Sequence, residues 1–435
     1  MAGVAGARKG NGGVAAAIVT LAIALLASCA AAAVIWLQQS EDPWGLKLRQ
    51  HNGMVYDRVW GLVAQNYFDK EFGGIDWDAA KERHRPDALK ARTTRELYAR
   101  AIWPLLDELK VSHVAADAPD ELDGLGAGIH FSGRRGDSLA DMGGGVGDLG
   151  GVTVVHDGKQ WIVYDVEQDS TPEKLGVAPG RVVLSARTSP VKNAAVDRMK
   201  VDLVLAKGKT GQETTSYEFT AEETDFAEWS EFLASDAMVI RFDVFDSYTA
   251  NWALEEIRDA RDDGIILDMR SNRGGNIGAM VLIASALLPD GAPIGQTAGR
   301  MLTLPVKARA DGRAYAGPVA VLIGPQTASA GEMLAYALRQ NGRALLVGDR
   351  TSGQVLTARF WPLPDGGRLS VATGNFTASD GSRLEGVGVS PDIPAAENLQ
   401  AIREGRDLVI ETADKALTER LATQAAALNA SVSAP

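Results

Sequence analysis

Apolar residues recur at helical spacing between residues 44 and 117, for example at Val55, Val59 and Leu62, with charged residues between them. Side chains three or four positions apart share one face of a helix, and an apolar face of this kind packs against other elements. The pattern therefore predicts a small helical domain over residues 44–117.

A different pattern follows from residue 120 to residue 222, where glycine clusters separate short apolar runs such as 161–164 and 181–184. Glycine interrupts regular elements, and short runs rich in β-branched and aromatic side chains favour strands. This composition predicts a small β-rich module over residues 120–222.

From residue 236 onward, short apolar runs alternate with longer amphipathic segments. Repeated strand–helix units of this kind predict an α/β domain over residues 236–400, in which helices cover a sheet. Residues 401–435 are predicted to form a C-terminal helix and tail. The predicted strands are 238–242, 264–268, 319–323 and 344–347, and the predicted helices are 248–260, 277–288 and 330–340.

Residues 1–40 contain one long apolar segment, from residue 14 to residue 37. At about 1.5 Å per residue, a helix of this length crosses a bilayer. Arg8 and Lys9 precede the segment and acidic residues follow it, and positive charge is retained on the cytoplasmic side. We therefore expect an N-terminal membrane anchor, with the remaining chain in the cell envelope on the extracytoplasmic, periplasmic side.

Two alternatives to the anchor predict the same location. A cleaved signal peptide is one, and a lipoprotein is the other, because residues 26–29 resemble a bacterial lipobox that ends at Cys29. Residues 30–37 stay hydrophobic, whereas the residues after a lipidated cysteine are usually polar. The anchor is therefore the favoured interpretation.

Composition and charge exclude several classes of function for this chain of 435 residues. Its 46% hydrophobic and 23% charged residues are ordinary values for a globular protein. The net charge of -12 argues against nucleic acid as a partner, because phosphate binding needs a dense basic surface. One cysteine permits no intramolecular disulfide, and the five histidines are scattered, so no metal site and no cofactor are predicted. The oligomeric state stays open.

Ligands in open α/β folds collect where strands end, so the residues after each apolar run are candidates for chemistry. The first such corner, residues 268–276, contains Gly274 and Gly275 just before a predicted helix. Glycines at this position let a backbone N–H approach a ligand closely and point at it. This corner is therefore a candidate ligand-binding turn.

The second corner, residues 324–332, places Ser329 where a predicted strand turns into a helix. Ser329 and Glu332 have the spacing of a capping box, which satisfies free N–H groups without any chemistry. A nucleophilic serine is the alternative, because the helix N-terminus stabilises the oxyanion of acyl transfer, and it requires a base. On these residues alone, the cap is the preferred interpretation.

Segments 264–275, 321–332 and 348–353 together resemble the core of the tail-specific (C-terminal processing) serine protease family. The N-terminal helices are also similar, so the resemblance covers about residues 44–400. It implies a crotonase/ClpP-like α/β protease core, preceded by a helical domain and interrupted by an inserted PDZ-like β module.

The run 124–129 and the segment 176–180 carry the resemblance to the inserted PDZ domain. Such modules bind extended peptides by strand addition and hold a C-terminal carboxylate in backbone N–H groups. Arg181 stands where the common bacterial pattern has an acid, so the ligand preference stays open. The residues implied to bind substrate in the loop are Gly124, Leu125, Gly126, Ala127 and Gly128.

One departure from the family pattern indicates a subtype. Bacterial processing proteases place the lysine of a Ser–Lys dyad where this chain has Gln354, whereas the branch similar to the tricorn protease core uses a Ser–His–Ser–Glu tetrad. This chain has Ser112 and His113 ahead of the β module, and Glu385 in a segment that resembles the family's closing motif. The resemblance implies Ser329 as nucleophile and His113 as base. It implies that Glu385 and Ser112 orient the imidazole.

The implied assignment is chemically consistent. A neutral imidazole with a pKa near its ordinary value of about 6.5 can accept the serine proton and return it to the leaving amine. The backbone N–H groups of Ala330 and of Gly275 or Gly274 are the implied oxyanion donors.

Together these features predict a membrane-anchored, extracytoplasmic serine endopeptidase that hydrolyses unfolded or C-terminally exposed polypeptides through an acyl-enzyme. The alternative is a catalytically inactive protease-like protein that binds peptides or another ligand, which the missing dyad lysine motivates. A third possibility is an esterase or amidase, because the same acyl-transfer chemistry serves small substrates.

Overall fold

A computed structural model describes most of the chain. The predicted anchor in residues 1–40, with Cys29, and the predicted peptide-binding loop 124–128 lie outside the described residues. Within the part that is described, no helix combines the length and the apolar character needed to cross a membrane. The described residues are 46–119, 146–156, 159–166, 170–190, 198–207, 213–222, 228–310, 312 and 314–432.

The order of elements follows the three sequence patterns. A π-helical turn, Tyr98–Ile102, joins α3 to α4. The helices are α1 (Leu46–Asn66), α2 (Trp77–Lys90), α3 (Thr94–Leu97), α4 (Trp103–Asp107), α5 (Thr171–Lys174), α6 (Ser247–Asp259), α7 (Ile277–Leu287), α8 (Ala330–Gln340), α9 (Leu399–Arg403) and α10 (Leu408–Val432). The strands are β1 (Ala115–Asp117), β2 (Val146–Asp148), β3 (Val152–His156), β4 (Trp161–Val166), β5 (Val182–Pro190), β6 (Arg198–Lys207), β7 (Glu213–Glu222), β8 (Glu228–Phe232), β9 (Met238–Phe242), β10 (Ile265–Asp268), β11 (Pro293–Gly299), β12 (Thr303–Lys307), β13 (Val319–Ile323), β14 (Ala344–Gly348), β15 (Thr357–Pro362), β16 (Arg368–Ala378) and β17 (Ile393–Pro394).

The central sheet has the strand order β17-β14-β13-β10-β9-β8. All neighbours in it are parallel except β8, which pairs antiparallel with β9. Every residue of β9, β10 and β13 is buried, as continuous apolar runs in a parallel sheet require. The observed bounds of β9, β13 and α8 coincide with the predicted ranges, and the predicted α/β architecture is confirmed.

Helices cover both faces of this sheet. On one face α6, α7 and α8 pack against alternate strand residues such as Ile240 and Val321. On the other face α10 places Val409, Ala413 and Leu417 against the remaining strand residues. Most of the predicted C-terminal helix and tail is therefore a structural layer of the α/β core, because the second sheet face also has to be buried.

A second sheet connects the N-terminal helices to the core. Its order is β1-β16-β11-β12, and β15 also pairs with β16. Buried residues of β16, including Leu369 and Val371, pack with the helical residues Tyr56 and Tyr98 in one cluster. Strand β1 begins two residues after His113, so its pairing with β16 positions the predicted base.

A third sheet contains β2 to β7 in sequence order, with every neighbouring pair antiparallel. Its inward side chains, such as Val154, Val163 and Leu203, form a separate apolar cluster. The described part of residues 120–222 is therefore rich in β-strands, as the glycine-separated apolar runs predicted.

Candidate active site

Ser112, His113 and Glu385 form one hydrogen-bonded group although they lie far apart in the chain. The Ser112 Oγ is 2.7 Å from His113 Nδ1 and 3.0 Å from Glu385 Oε2. The Ser112 N–H also donates to Glu385 Oε1 at 3.0 Å, and the Val355 N–H donates to Glu385 Oε2 at 2.8 Å. These bonds hold the carboxylate on Ser112, which in turn contacts the imidazole.

The hydrogen bonds of this group determine the tautomer of the imidazole. The Ser112 hydroxyl has a single proton, which it donates to Glu385 Oε2. The Ser112 oxygen then accepts a hydrogen bond from His113 Nδ1–H. The proton on Nδ1 leaves the lone pair on Nε2, which is the arrangement that a general base requires.

Burial keeps His113 neutral. The side chain is 9% exposed, and this burial lowers the pKa of His113 from 6.5 to about 4. His113 also has a positive φ of 62°, a conformation that costs a non-glycine residue free energy and that is concentrated at functional sites. The residue is therefore held, at neutral pH, in the protonation state of a base.

This burial predicts an activity that persists into acid. We expect the acid limb of kcat/KM to have its midpoint near pH 4, because the free enzyme loses its base only when His113 is protonated. The rate of serine modification by a fluorophosphonate, measured across the acid range, checks this. A midpoint near 6.5 contradicts it.

The same shift in pKa affects stability. Between about pH 6.5 and 4 the unfolded chain binds a proton at His113 that the folded chain does not, so the free energy of unfolding falls as the pH falls.

Ser329 is the residue immediately before α8, after a short turn that follows β13. It is 6% exposed, and its backbone has φ 52° and ψ -120°. A non-glycine residue at positive φ costs about 1–3 kcal/mol and persists only where its surroundings enforce it. One such constraint is the Ser329 N–H, which donates to the Gln354 carbonyl at 2.8 Å.

Of the two glycines in the first corner, Gly274 lies against Ser329 and Gly275 lies against the main chain of Phe245. Both have positive φ, 93° for Gly274 and 138° for Gly275. A Cβ on Gly274 would come within 2.6 Å of the Ser329 Cβ and 3.0 Å of the Ala330 nitrogen, so only glycine allows this approach. The close packing places the turn beside the first N–H groups of α8.

One predicted oxyanion donor is not available in this geometry. The Gly274 N–H donates to Asn272 Oδ1 at 2.9 Å, because the turn is closed by that side chain. The expectation for Gly274 is corrected accordingly: it supports the turn by its small size and its conformation. Gly275 and Ala330 stay the candidate donors.

Comparisons with known proteins agree with this architecture. The model of Peptidase family S41 matches residues 237–395, and the model of the Tricorn protease C1 domain matches residues 50–99. A C-terminal processing peptidase, chloroplastic, from Tetradesmus obliquus is 27% identical over 376 residues, which cover 78% of this chain and 76% of the relative. The chain is thus similar to the tail-specific, C-terminal processing proteases over most of its length. It is a serine-type peptidase.

Solved structures of similar fold support the architecture. The photosystem II D1 C-terminal processing protease has a TM-score of 0.51 and 24% identity, covering 79% of this chain and 93% of that one. The tricorn protease has a TM-score of 0.51 and 18% identity, covering 86% of this chain and 37% of that one. The chain thus shares its α/β protease fold with both.

A cavity of about 380 Å³ lies beside the imidazole of His113. His113, Gln354 and Glu385 line it together with the neighbouring glycines and Lys110. Gln354 lines this space, while its main-chain carbonyl accepts a hydrogen bond from the Ser329 N–H. The backbone from Gln354 to Val355 therefore links the serine corner to the group around Glu385.

Sequence reasoning missed two groups of buried charged residues. Glu332 was interpreted as a cap only, although an acid on the buried face of α8 is a signal of a specific partner. Arg270 forms ion pairs with Asp268, Glu397 and Asp407. Only Asp268 is close to Arg270 in the sequence, so local spacing could not reveal the other two partners. Among the residues described, no group of three histidine, cysteine or acidic side chains could hold a metal ion.

Proposed function

We propose that this protein is a tail-specific protease that cleaves peptide bonds with Ser329 as nucleophile and His113 as general base, while Glu385 and Ser112 orient the imidazole. The observation that carries the proposal is the Glu385–Ser112–His113 chain of hydrogen bonds, which leaves Nε2 as the basic nitrogen. The positive φ of Ser329 at the N-terminus of α8 adds the conformation expected of an enforced functional position.

The reaction follows from these roles. His113 Nε2 accepts the hydroxyl proton as Ser329 Oγ attacks the carbonyl carbon, and the imidazolium is stabilised through Ser112 by Glu385. The N–H groups of Ala330 and Gly275 are the proposed donors to the oxyanion. His113 then protonates the leaving amine, and water hydrolyses the acyl-enzyme by the reverse proton transfers.

We infer a preference for unfolded or C-terminally exposed polypeptides. The support is the antiparallel sheet of β2 to β7, which fits a PDZ-like module over residues 120–222, and the relatives described as C-terminal processing peptidases. In this proposal the loop 124–128 binds the substrate's C-terminal carboxylate. The helical domain over 44–117 supplies Ser112 and His113, and the core over 236–400 supplies Ser329 and Glu385.

We further propose that the protease works outside the cytoplasm, held at the membrane by residues 1–40. The support is the apolar segment 14–37 with Arg8 and Lys9 before it. The binding-protein alternative is not favoured, because the relatives that match most of the chain are peptidases.

Modification of the full chain with a serine-directed fluorophosphonate tests the catalytic proposal. We expect a single adduct that peptide mass spectrometry maps to Ser329, because only an activated serine reacts readily with this reagent. The Ser329→Ala variant should fold normally and acquire no adduct. An adduct on another serine, or none on folded protein, contradicts the assignment of the nucleophile.

A further inference from the structure

Glu332 is a completely buried acid, with 0% of its surface exposed, in the first turn of α8. The proposed mechanism gives it no role. Burying an ionised carboxylate is costly unless donors surround it, so its contacts should reveal what it does.

Backbone groups from two segments converge on this carboxylate. The Gly353 N–H donates to Oε1 at 2.8 Å, and the Gln354 N–H donates to Oε2 at 2.8 Å. The Ser329 N–H lies 3.3 Å from Oε2. A capping box accounts only for this last and longest contact, so capping does not explain the other two.

Two hydroxyl groups complete the surroundings. The Val389 N–H donates to Thr351 Oγ1 at 2.6 Å, so the Thr351 proton is directed to Glu332 Oε1. The Ser352 hydroxyl lies 3.2 Å from Oε2. Burial raises the pKa of Glu332, and the hydrogen bonds from Thr351, Gln354, Gly353 and Ser352 oppose that rise. The Ser352 hydroxyl also donates to the Thr327 carbonyl at 3.0 Å, so the firm donors to Glu332 are Thr351 and the two strap amides.

The same segment also reaches the other half of the proposed site. We call residues 351–355 the strap. Its amides at Gly353 and Gln354 bind Glu332, and the next amide, Val355, binds Glu385 at 2.8 Å. The strap carbonyl of Gln354 accepts the Ser329 N–H. Two buried carboxylates, one on each side, thus hold successive amides of one short piece of backbone.

We propose that Glu332 is a positioning residue, whose buried carboxyl group holds the strap between Ser329 and the Ser112–His113–Glu385 group. The inference rests on the proposed function, because it assigns Glu332 to the alignment of that site. Glu332 itself touches no reacting atom. Its role is to fix the spacing of nucleophile and base through the backbone.

Glu332→Gln tests the carboxyl group at nearly constant shape. The side-chain NH₂ of glutamine is a donor, and it would face the N–H donors of the strap. We expect the second-order rate constant of fluorophosphonate modification at Ser329 to fall about 100-fold, the loss typical of a small misplacement of reacting groups. We also expect faster hydrogen exchange at the amides of 353 and 354, measured by mass spectrometry. Thr351→Val, which removes one donor and keeps the shape, should lower the rate constant about tenfold.

Leu417→Ala is the matched control. Leu417 is buried on the opposite sheet face from α8. Its truncation should lower Tm about as much as Glu332→Gln does, without altering the strap or the rate constant. A Glu332→Gln variant that reacts as fast as the wild type overturns the inference, as does slower reaction without faster exchange in the strap. If Glu332→Gln fails to fold, Thr351→Val decides by the same two measurements. A wild type that acquires no adduct at Ser329 overturns the proposed function, and this inference with it.

Discussion

Replacing His113 by alanine is expected to lower kcat/KM for an unfolded polypeptide substrate by roughly 10⁴-fold or more. The variant loses the nitrogen that accepts the serine proton, and Ser112 and Glu385 then have no imidazole to orient. Gln354→Ala should lower kcat/KM by about tenfold or less, because the strap contacts of Gln354 are made by its main chain and survive the change. Initial rates of hydrolysis of a fluorescently labelled casein measure both.

The control for these variants is His51→Ala, since His51 lies in α1 and the proposed site does not include it. It should hydrolyse the substrate at the rate of the wild type. Thermal unfolding of each variant shows whether the fold is retained. A Gln354→Ala variant that is more impaired than His113→Ala contradicts the proposal, because the side chain of Gln354 would then matter more to catalysis than the proposed base.

Replacing Arg270 by leucine is expected to destabilise the protein by about 3–5 kcal/mol, because it leaves buried carboxylates without their cation. The guanidinium lies 2.6 Å from Asp268, 2.8 Å from Asp407 and 3.4 Å from Glu397. Burial, together with the neighbouring Asp407, raises the pKa of Glu397 to about 8. The Tyr164 hydroxyl from β4 also donates to Asp407.

The urea midpoint of unfolding, followed by circular dichroism, measures this loss. Arg406→Ala is the matched control, because Arg406 pairs with Glu404 and Glu411 at the surface and should leave the midpoint nearly unchanged. Equal midpoints for Arg270→Leu and the wild type would show that the network contributes no net stability.

Much of the fold was predictable because its signals are local. Strands such as 238–242 and 319–323 are buried on both faces, and a continuous apolar run reports that burial directly. Helix α8 begins and ends where its apolar periodicity does. The role of α10 was harder to predict from the sequence, because the topology of the sheet decides whether a helix packs on one of its faces or is exposed to solvent.

The candidate site was only partly predictable. Residue chemistry alone left Ser329 as a helix cap, and the family resemblance supplied the candidate roles of His113, Ser112 and Glu385. The sequence also suggested Gly274 as an oxyanion donor, whereas its N–H is bound by Asn272. Availability of a backbone donor depends on neighbouring side chains, which the spacing of glycines does not specify.

The sequence by itself determined the α/β order, the helical and β-rich regions and the residues able to perform acyl transfer, because periodicity and residue type are local properties. Only the tertiary structure brought Ser112 to Glu385 across 273 positions and Arg270 to Asp407 across 137. It alone placed Glu332 among donors of the strap. Such contacts depend on how strands and helices pack, and the free energy of a buried charge is set by the groups that packing brings to it.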